Sequence, residues 1–292
     1  MTHKMHPDEI LINEMLVRKL LKEQFPKWSD LPLQEVVSGT QNAIYRLGKD
    51  MAIRLPRIPG AVSHINKEYL YLPKLAPHLS LSIPTPIAKG KPSNDYPWDW
   101  SIYAWLDGEN AVDTITDLHQ AAIDLGHFVK ELHDIAPTGG HLCRRGKPLH
   151  IRDKETREAI ALLEDIIDTN AATTIWEKAL SMSQWELPPV WIHGDLHTDN
   201  MLTTHGRISA VIDFGSAGIG DPAVDMMVAW TALSADTRNI FRNIVQPDEA
   251  TWIRGRGWAL TFGLVALPYY TQSNPTLADI SRRTIDAVFS DQ

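Results

Sequence analysis

A single cysteine, Cys143, stands in a chain of 292 residues. It excludes an intrachain disulfide and any metal centre built on several thiolates, which suits a reducing compartment. Long apolar runs are missing as well. The first residues carry Lys4, Asp8 and Glu9 where a secretory leader needs its apolar core, and no later stretch approaches a charge-free membrane span. Glycine (17) and proline (19) follow no period and no heptad is sustained, so collagen-like, low-complexity and coiled-coil readings fail. Positive charge is short: 28 Lys and Arg face 36 Asp and Glu, a formal net charge of −8. That balance argues against a general nucleic-acid binder, whose affinity would come from neutralising phosphates. What these absences leave is a cytoplasmic protein with neither membrane nor nucleic acid as partner, and a monomer is the expected state.

What is present is a chain 43% hydrophobic and 22% charged, long enough for two domains or one large two-lobed unit around a core. Its charge divides unevenly. Residues 1–106 hold 13 Lys and Arg against 10 Asp and Glu, whereas residues 107–292 hold 15 against 26. An anionic ligand suits the first part and a cationic one the second, with solvated acidic helices as the competing reading.

Apolar spacing from Pro7 to about Gln24 predicts an amphipathic helix. Three extended runs, 33–37, 43–47 and 51–55, separated by turn formers, predict an antiparallel meander. A helix over 63–75 with Ser63 as its cap, a Pro-punctuated edge strand over 83–89 and a strand over 100–106 follow. Beyond Asp107 the pattern turns helical, over 116–133, 152–167 and 171–182. Two short apolar runs, 190–192 and 208–212, then flank a polar loop, and helices follow from Pro222 with breaks near Asp236, Pro247, Pro268 and Pro275.

The densest chemistry lies in that loop: His193-Gly194-Asp195-Leu196-His197-Thr198-Asp199-Asn200, with Asp213-Phe214-Gly215 starting thirteen residues after Asn200. Phosphoryl transfer from a nucleotide needs a carboxylate beside the accepting hydroxyl and oxygen ligands for Mg²⁺ beside the phosphates. An H-x-D with Asn five residues after the Asp, followed by a D-F-G, is the kinase arrangement of those groups. Zinc or iron ligation by His193, Asp195, His197, Asp199 and Asp213 is the competing reading, and it accounts for neither Asn200 nor the D-F-G spacing.

With Gly194 where protein kinases carry Arg, and Gly220-Asp221-Pro222-Ala223-Val224-Asp225 soon after the D-F-G, the sequence resembles the aminoglycoside phosphotransferase family. These are small-molecule kinases of protein-kinase-like fold. The resemblance runs by element order from about Leu33 to Tyr270, with its specific motifs in residues 190–225. It implies a two-lobed α+β fold: a small nucleotide-binding lobe with an antiparallel sheet over residues 1–106, and a larger, mainly helical catalytic and acceptor-binding lobe over 107–292. It implies Asp195 as catalytic base, Asn200 and Asp213 as Mg²⁺ ligands, Asp225 as a buried brace, and ATP or GTP as phosphate donor.

Upstream, the resemblance implies a phosphate-covering turn at Ser38-Gly39-Thr40, a phosphate-clamping strand cation at Arg54 with Glu68 as its partner, and a hinge whose backbone, from Tyr103 to Trp105, meets the base. The familiar strand cation is Lys. A planar guanidinium is not interchangeable with an ammonium point charge, so Arg54 bears on nucleotide geometry and on ATP against GTP. His193 and His197 read as structural.

The acidic balance after residue 106, and the 8 acids against 4 bases in residues 151–190, favour a cationic hydroxylated acceptor such as an aminoglycoside, with antibiotic resistance or metabolism as the role. Trp230, Trp252, Trp258, Tyr269 and Tyr270 read as core; lining a cleft, they would suit a macrolide. Choline- or homoserine-type metabolite kinases and a non-catalytic small-molecule sequestering protein are the alternatives. A protein kinase is disfavoured, since no A-P-E follows the D-F-G.

Overall fold

The computed structural model describes residues 9–36 and 41–291. The chain divides into two compact units. The first comprises the chain up to Pro77, Ile83–Asp107 and Asp213–Gly215; the second comprises His78–Ser82, Gly108–Ile212 and the chain from Ser216.

In the first unit α1 (Glu14–Gln24) starts where Asn13 caps it, its side chain accepting from Leu16 N at 3.0 Å. The helix expected from Pro7 therefore begins later: Ile10 donates its N–H to Arg57 O (2.9 Å), a tertiary bond that the apolar spacing does not encode. Strands β1 (Leu33–Val36), β2 (Asn42–Leu47) and β3 (Met51–Pro56) form the meander, followed by α2 (Pro59–Leu75), β4 (Pro86–Gly90) and β5 (Trp100–Ala104). Helix α2 starts at Pro59 rather than at Ser63, because the fixed φ of proline suits a first helical position that needs no N–H. The sheet order is β1-β2-β3-β5-β4 with every neighbouring pair antiparallel, which puts β3 in the middle and the Pro-bearing β4 at an edge. Tyr45, Leu47, Ile53, Leu55, Trp100 and Ile102 pack with Leu20 and Leu21 of α1 into the core of this unit. At about 1.5–3 kcal/mol for each large apolar side chain buried, that core anchors the central strand.

The second unit begins with β6 (Glu109–Asn110) and α3 (Leu118–Asp134), capped by Asp117. Helices α4 (Asp153–Leu162) and α5 (Thr169–Ser181) precede β7 (Val190–Ile192), β8 (Met201–Thr204), β9 (Arg207–Val211) and β10 (Gly218–Gly220). A 3-10 segment, Pro222–Met227, leads into α6 (Val228–Thr231), α7 (Ala235–Val245), α8 (Glu249–Tyr270) and α9 (Pro275–Phe289). Helix α8 is mostly buried, with Arg254 its buried charge, and sits against α4, α5, α9 and the 3-10 segment. The break expected at Pro268 does not occur, since it falls in the last turn and frees a single carbonyl. Strand β8 is a further difference: it lies inside the loop that the sequence marks as polar, pairing β9 on one side and β6 on the other. Two short sheets, β6-β8-β9 and β7-β10, frame the loop 193–200. Among the described residues, no helix is long and apolar enough to cross a membrane.

Candidate active site

In the first unit one guanidinium gathers the polar groups. Arg54 lies on the central strand β3, opposite Ser101 of β5 and Ile44 of β2. It donates from Nη1 to Glu68 Oε1 (2.5 Å) and from Nη2 to Asp213 Oδ1 (2.9 Å). Asn42, with its amide oxygen turned to the guanidinium, accepts from Nε (3.1 Å) and Nη2 (2.9 Å). The second oxygen of Glu68 accepts from the Tyr103 hydroxyl (2.5 Å), which accepts in turn from Ser101 Oγ (3.2 Å).

Arg54 is 8% exposed and Glu68 1%, so two charges have left water and persist because they are paired and hydrogen-bonded, with one Nη1 N–H of Arg54 beyond those bonds. An arginine fork reaches two carboxylates at once, which a single ammonium nitrogen does with poorer geometry. Burial opposes the charge on Arg54, yet the carboxylates of Glu68 and Asp213 outweigh it and raise its pKa, so the guanidinium stays cationic. Burial raises the Glu68 carboxyl above the ordinary glutamate value, with Arg54 and Tyr103 pulling it back. Burial, reinforced by the Glu68 charge, also raises the Tyr103 phenol, which keeps its proton and donates. Asp213 adopts φ +60°, a left-handed conformation uncommon outside glycine, and its side chain is nearly half exposed.

In the second unit the loop after β7 is held by its backbone. Asp225 is fully buried, and its carboxylate accepts from His193 N (3.0 Å) and Gly194 N (2.8 Å) while lying 3.1 Å from His133 Nε2. Gly194 has φ +79°, and a Cβ there would meet Arg145 Cβ at 3.1 Å and the Ser216 carbonyl at 3.2 Å, so both conformation and space require glycine. His193 Nδ1 accepts from Asp195 N (3.2 Å), which leaves Nε2 protonated to donate to Ile212 O (3.0 Å). Asn200 Nδ2 donates to Asp195 O (2.9 Å) and lies 3.1 Å from His197 Nε2, which commits its amide nitrogen. His197 is buried and stacks on Phe262, with ring centroids 5.2 Å apart and Nε2 4.0 Å from Asp195 Oδ2. The Asp195 side chain is a quarter exposed and accepts from Arg145 Nη2 at 3.1 Å.

The structure thus brings Arg54, Glu68, Tyr103 and Asp213 together in one unit, and Asp195 and Asn200 together in the other. Ser38, Gly39 and Thr40 lie outside the described residues. Trp105 is half-buried: Arg46 stacks over its ring at 4.5 Å and its Nε1 donates to Asp107 Oδ1 (2.9 Å). The amides of Ala104 and Trp105 donate to Thr85 O and Asp50 O, so the hinge retains fewer free N–H groups than its position in sequence suggests. Trp230, Trp252 and Trp258 belong to the core, whereas Tyr269 is exposed. Arg145 escaped the sequence reading: it precedes Asp195 by fifty residues and no local pattern marks it. Asn110 escaped it too, and fixes Asp199 through Nδ2 to Oδ1 at 2.7 Å.

Asp213 and Asn200 offer hard oxygen donors, which suit Mg²⁺, an ion held by few protein oxygens and completed by phosphates and water. Among the described residues no group of three or more His, Cys, Asp and Glu is placed to hold a metal, so the zinc or iron reading gains no support.

A buried cation held between two acids on the central strand of a sheet, and a partly exposed aspartate on a loop whose backbone a buried carboxylate holds, suit phosphoryl transfer on an α+β, protein-kinase-like fold. The family model described as phosphotransferase enzyme family matches residues 32–258, and the chain belongs to that family. It is an enzyme that transfers phosphate to a hydroxyl group. The aminoglycoside 3'-phosphotransferase of Escherichia coli is 24% identical over 220 residues, 71% of this chain and 78% of that one. Among solved structures, the GDP complex of wild-type aminoglycoside 2'-phosphotransferase-IIIa aligns with a TM-score of 0.71 at 18% identity, over 96% of this chain and 100% of that one. The macrolide 2'-phosphotransferase MphH of Brachybacterium faecium aligns with a TM-score of 0.60 at 20% identity, over 93% and 97%.

Proposed function

We propose that this chain is a nucleotide- and Mg²⁺-dependent O-phosphotransferase that moves the γ-phosphate of ATP or GTP to a hydroxyl of a small molecule. The observation that carries the reading is the loop 193–200, which presents the partly exposed Asp195 carboxylate on a backbone fixed by the buried Asp225. Asp195 orients the accepting hydroxyl and takes its proton late, as phosphoryl transfer demands positioning more than strong base catalysis. Arg54, kept cationic by Glu68 and Asp213, clamps the α/β-phosphates. Asn200 and Asp213 are the Mg²⁺ ligands, and the ion, when bound, neutralises charge on the transferring phosphates. Residues 1–106 are assigned to the nucleotide, with Ser38-Gly39-Thr40 over its phosphates and the backbone near Tyr103 to Trp105 at its base; residues 107–292 are assigned to catalysis and acceptor.

Relatives named for aminoglycosides and macrolides support a small-molecule acceptor. Two readings of its charge stand, in a monomeric cytoplasmic enzyme: the acidic excess of residues 107–292 favours a cationic acceptor such as an aminoglycoside, with a resistance role, whereas Arg145 beside Asp195 favours an anionic metabolite. Nucleotide consumption, followed with ATP and with GTP in the presence of Mg²⁺ across aminoglycosides, macrolides, choline and homoserine, tests the proposal. Asp195→Asn is expected to remove at least 99% of acceptor-dependent turnover while nucleotide affinity changes by less than about threefold. Turnover unchanged in that variant would sink the assignment.

A further inference from the structure

The groups around Asp195 carry the opposite sign from the rest of the chain. Arg145 Nη2 lies 3.1 Å from Asp195 Oδ1, with both side chains about a quarter exposed. The segment bearing Arg145 is built into the fold: Cys143 N donates to Ile219 O (3.3 Å), Asp221 N donates to Gly146 O (3.0 Å), and Gly194 leaves room for the Arg145 stem. Arg152 joins it. Burial first, and then the charges of Arg145 and Arg144, lower the Arg152 pKa, with Glu155 and Asp195 acting the other way. Arg152 spends Nη1 on Glu155 Oε2 (2.7 Å), whereas its Nε and the Nη1 of Arg145 have no acceptor among the described residues.

Arg145 on Asp195 and Arg152 on Glu155 thus lie close enough to feel one another's charge, in a chain of net charge −8. Of the eight acids in residues 151–190 that would welcome a polyamine, four are already paired with cations of the same segment. Asp153 and Glu177 face Arg157 at 2.8 and 3.5 Å, Glu158 faces Lys154 at 3.8 Å, and Glu155 holds Arg152.

We propose that the acceptor carries an oxyanion, a carboxylate or a phosphate monoester, close to the hydroxyl that is phosphorylated, and that Arg145 and Arg152 bind it. The proposal rests on Asp195 orienting that hydroxyl. A hydroxyl oxygen sits at about 2.7 Å from the carboxylate it binds, and Arg145 Nη2 is 3.1 Å from the same carboxylate. An anion one or two carbons along the same molecule therefore meets the guanidinium. The planar fork matches a carboxylate or phosphate with two parallel hydrogen bonds. As the anion takes Arg145, Asp195 Oδ1 is released for the hydroxyl. A polyamine in the same place would meet the like charge of Arg145.

Calorimetric titration of the full chain with glycerate, glycerol 3-phosphate, glycerol and neamine tests this in the wild type, Arg145→Gln, Arg145→Lys and Arg152→Gln. Glycerate or glycerol 3-phosphate should bind the wild type and glycerol should not, and which anion binds separates carboxylate from phosphate. Affinity should fall at least tenfold in Arg145→Gln and in Arg152→Gln, and less in Arg145→Lys, which keeps the charge without the fork. Nucleotide affinity, measured on the same preparations, should hold and so report that the variants are folded. Three results overturn the proposal: neither anion binds, the arginine variants bind anion as the wild type does, or neamine binds and Arg145→Gln leaves or improves its affinity. The assignment of Asp195 to the accepting hydroxyl fails on a separate result, phosphate transfer that survives Asp195→Asn, which anion titration of the arginine variants does not read.

Discussion

Removing Arg54 should do more damage than removing Arg54 and Glu68 together. In Arg54→Gln the Glu68 carboxylate, 1% exposed, keeps the Tyr103 hydroxyl and loses its countercharge. Breaking a buried ion pair from one side costs about 3–5 kcal/mol, because the orphaned charge stays out of water. Glu68→Gln is milder at roughly 1–3 kcal/mol, since Arg54 retains Asp213 and Asn42. The double replacement Arg54→Met with Glu68→Leu removes both charges and keeps most of the volume, and should cost about 0–2 kcal/mol. The shortfall against the sum of the single variants is then at least about 2 kcal/mol of coupling.

Urea unfolding followed by far-ultraviolet dichroism and tryptophan fluorescence reads these values, and its pH dependence supplies a second check. Burial already raises the Glu68 carboxyl, and Arg54→Gln removes the charge that pulls it down. A group whose folded pKa is raised contributes its stability fully below the unfolded pKa and loses it as pH rises through the folded one. The penalty of Arg54→Gln relative to the wild type should therefore be small near pH 5 and full near pH 8. A double variant as unstable as the two singles combined, or a penalty flat across that range, would refute the reasoning.

Asp225→Ala leaves the buried N–H groups of His193 and Gly194 without an acceptor and should cost about 2–5 kcal/mol in urea unfolding, with turnover falling alongside. Gly194→Ala forces a Cβ onto the Arg145 stem and the Ser216 carbonyl at φ +79°, so kcat should drop at least tenfold with nucleotide affinity nearly unchanged. Asp213→Ala should weaken Mg²⁺-dependent nucleotide binding itself by about tenfold or more, read by nucleotide titration with and without Mg²⁺. Arg254 forms a buried bidentate pair with Asp221, at 3.1 Å for each bond, and Arg254→Met should cost about 3–5 kcal/mol in the same unfolding assay.

The meander β1 to β3, helix α3 and the loop 193–200 with its D-F-G follow from period, turn formers and spacing, all of which are local properties of the chain. Element ends were less legible, because they depend on partners elsewhere: the Arg57 carbonyl takes the Ile10 amide and delays α1, and β8 exists because β6 and β9 flank it. Arg54 and Glu68 read as partners from one strand and the next helix, but their shared bonds with Asn42, Tyr103 and Asp213 come from chain segments that only folding gathers.

Sequence by itself determined which residue types carry the chemistry, since a carboxylate, an amide and a D-F-G at fixed spacings already specify phosphoryl transfer. The tertiary structure alone decided the charge that surrounds Asp195. Net charge is a sum over the chain and has no address, whereas an electrostatic interaction falls with distance and is strengthened by burial. A chain acidic overall can therefore set arginines against the Asp195 carboxylate, and only the packing of the 143–152 segment beside the loop 193–200 places them there.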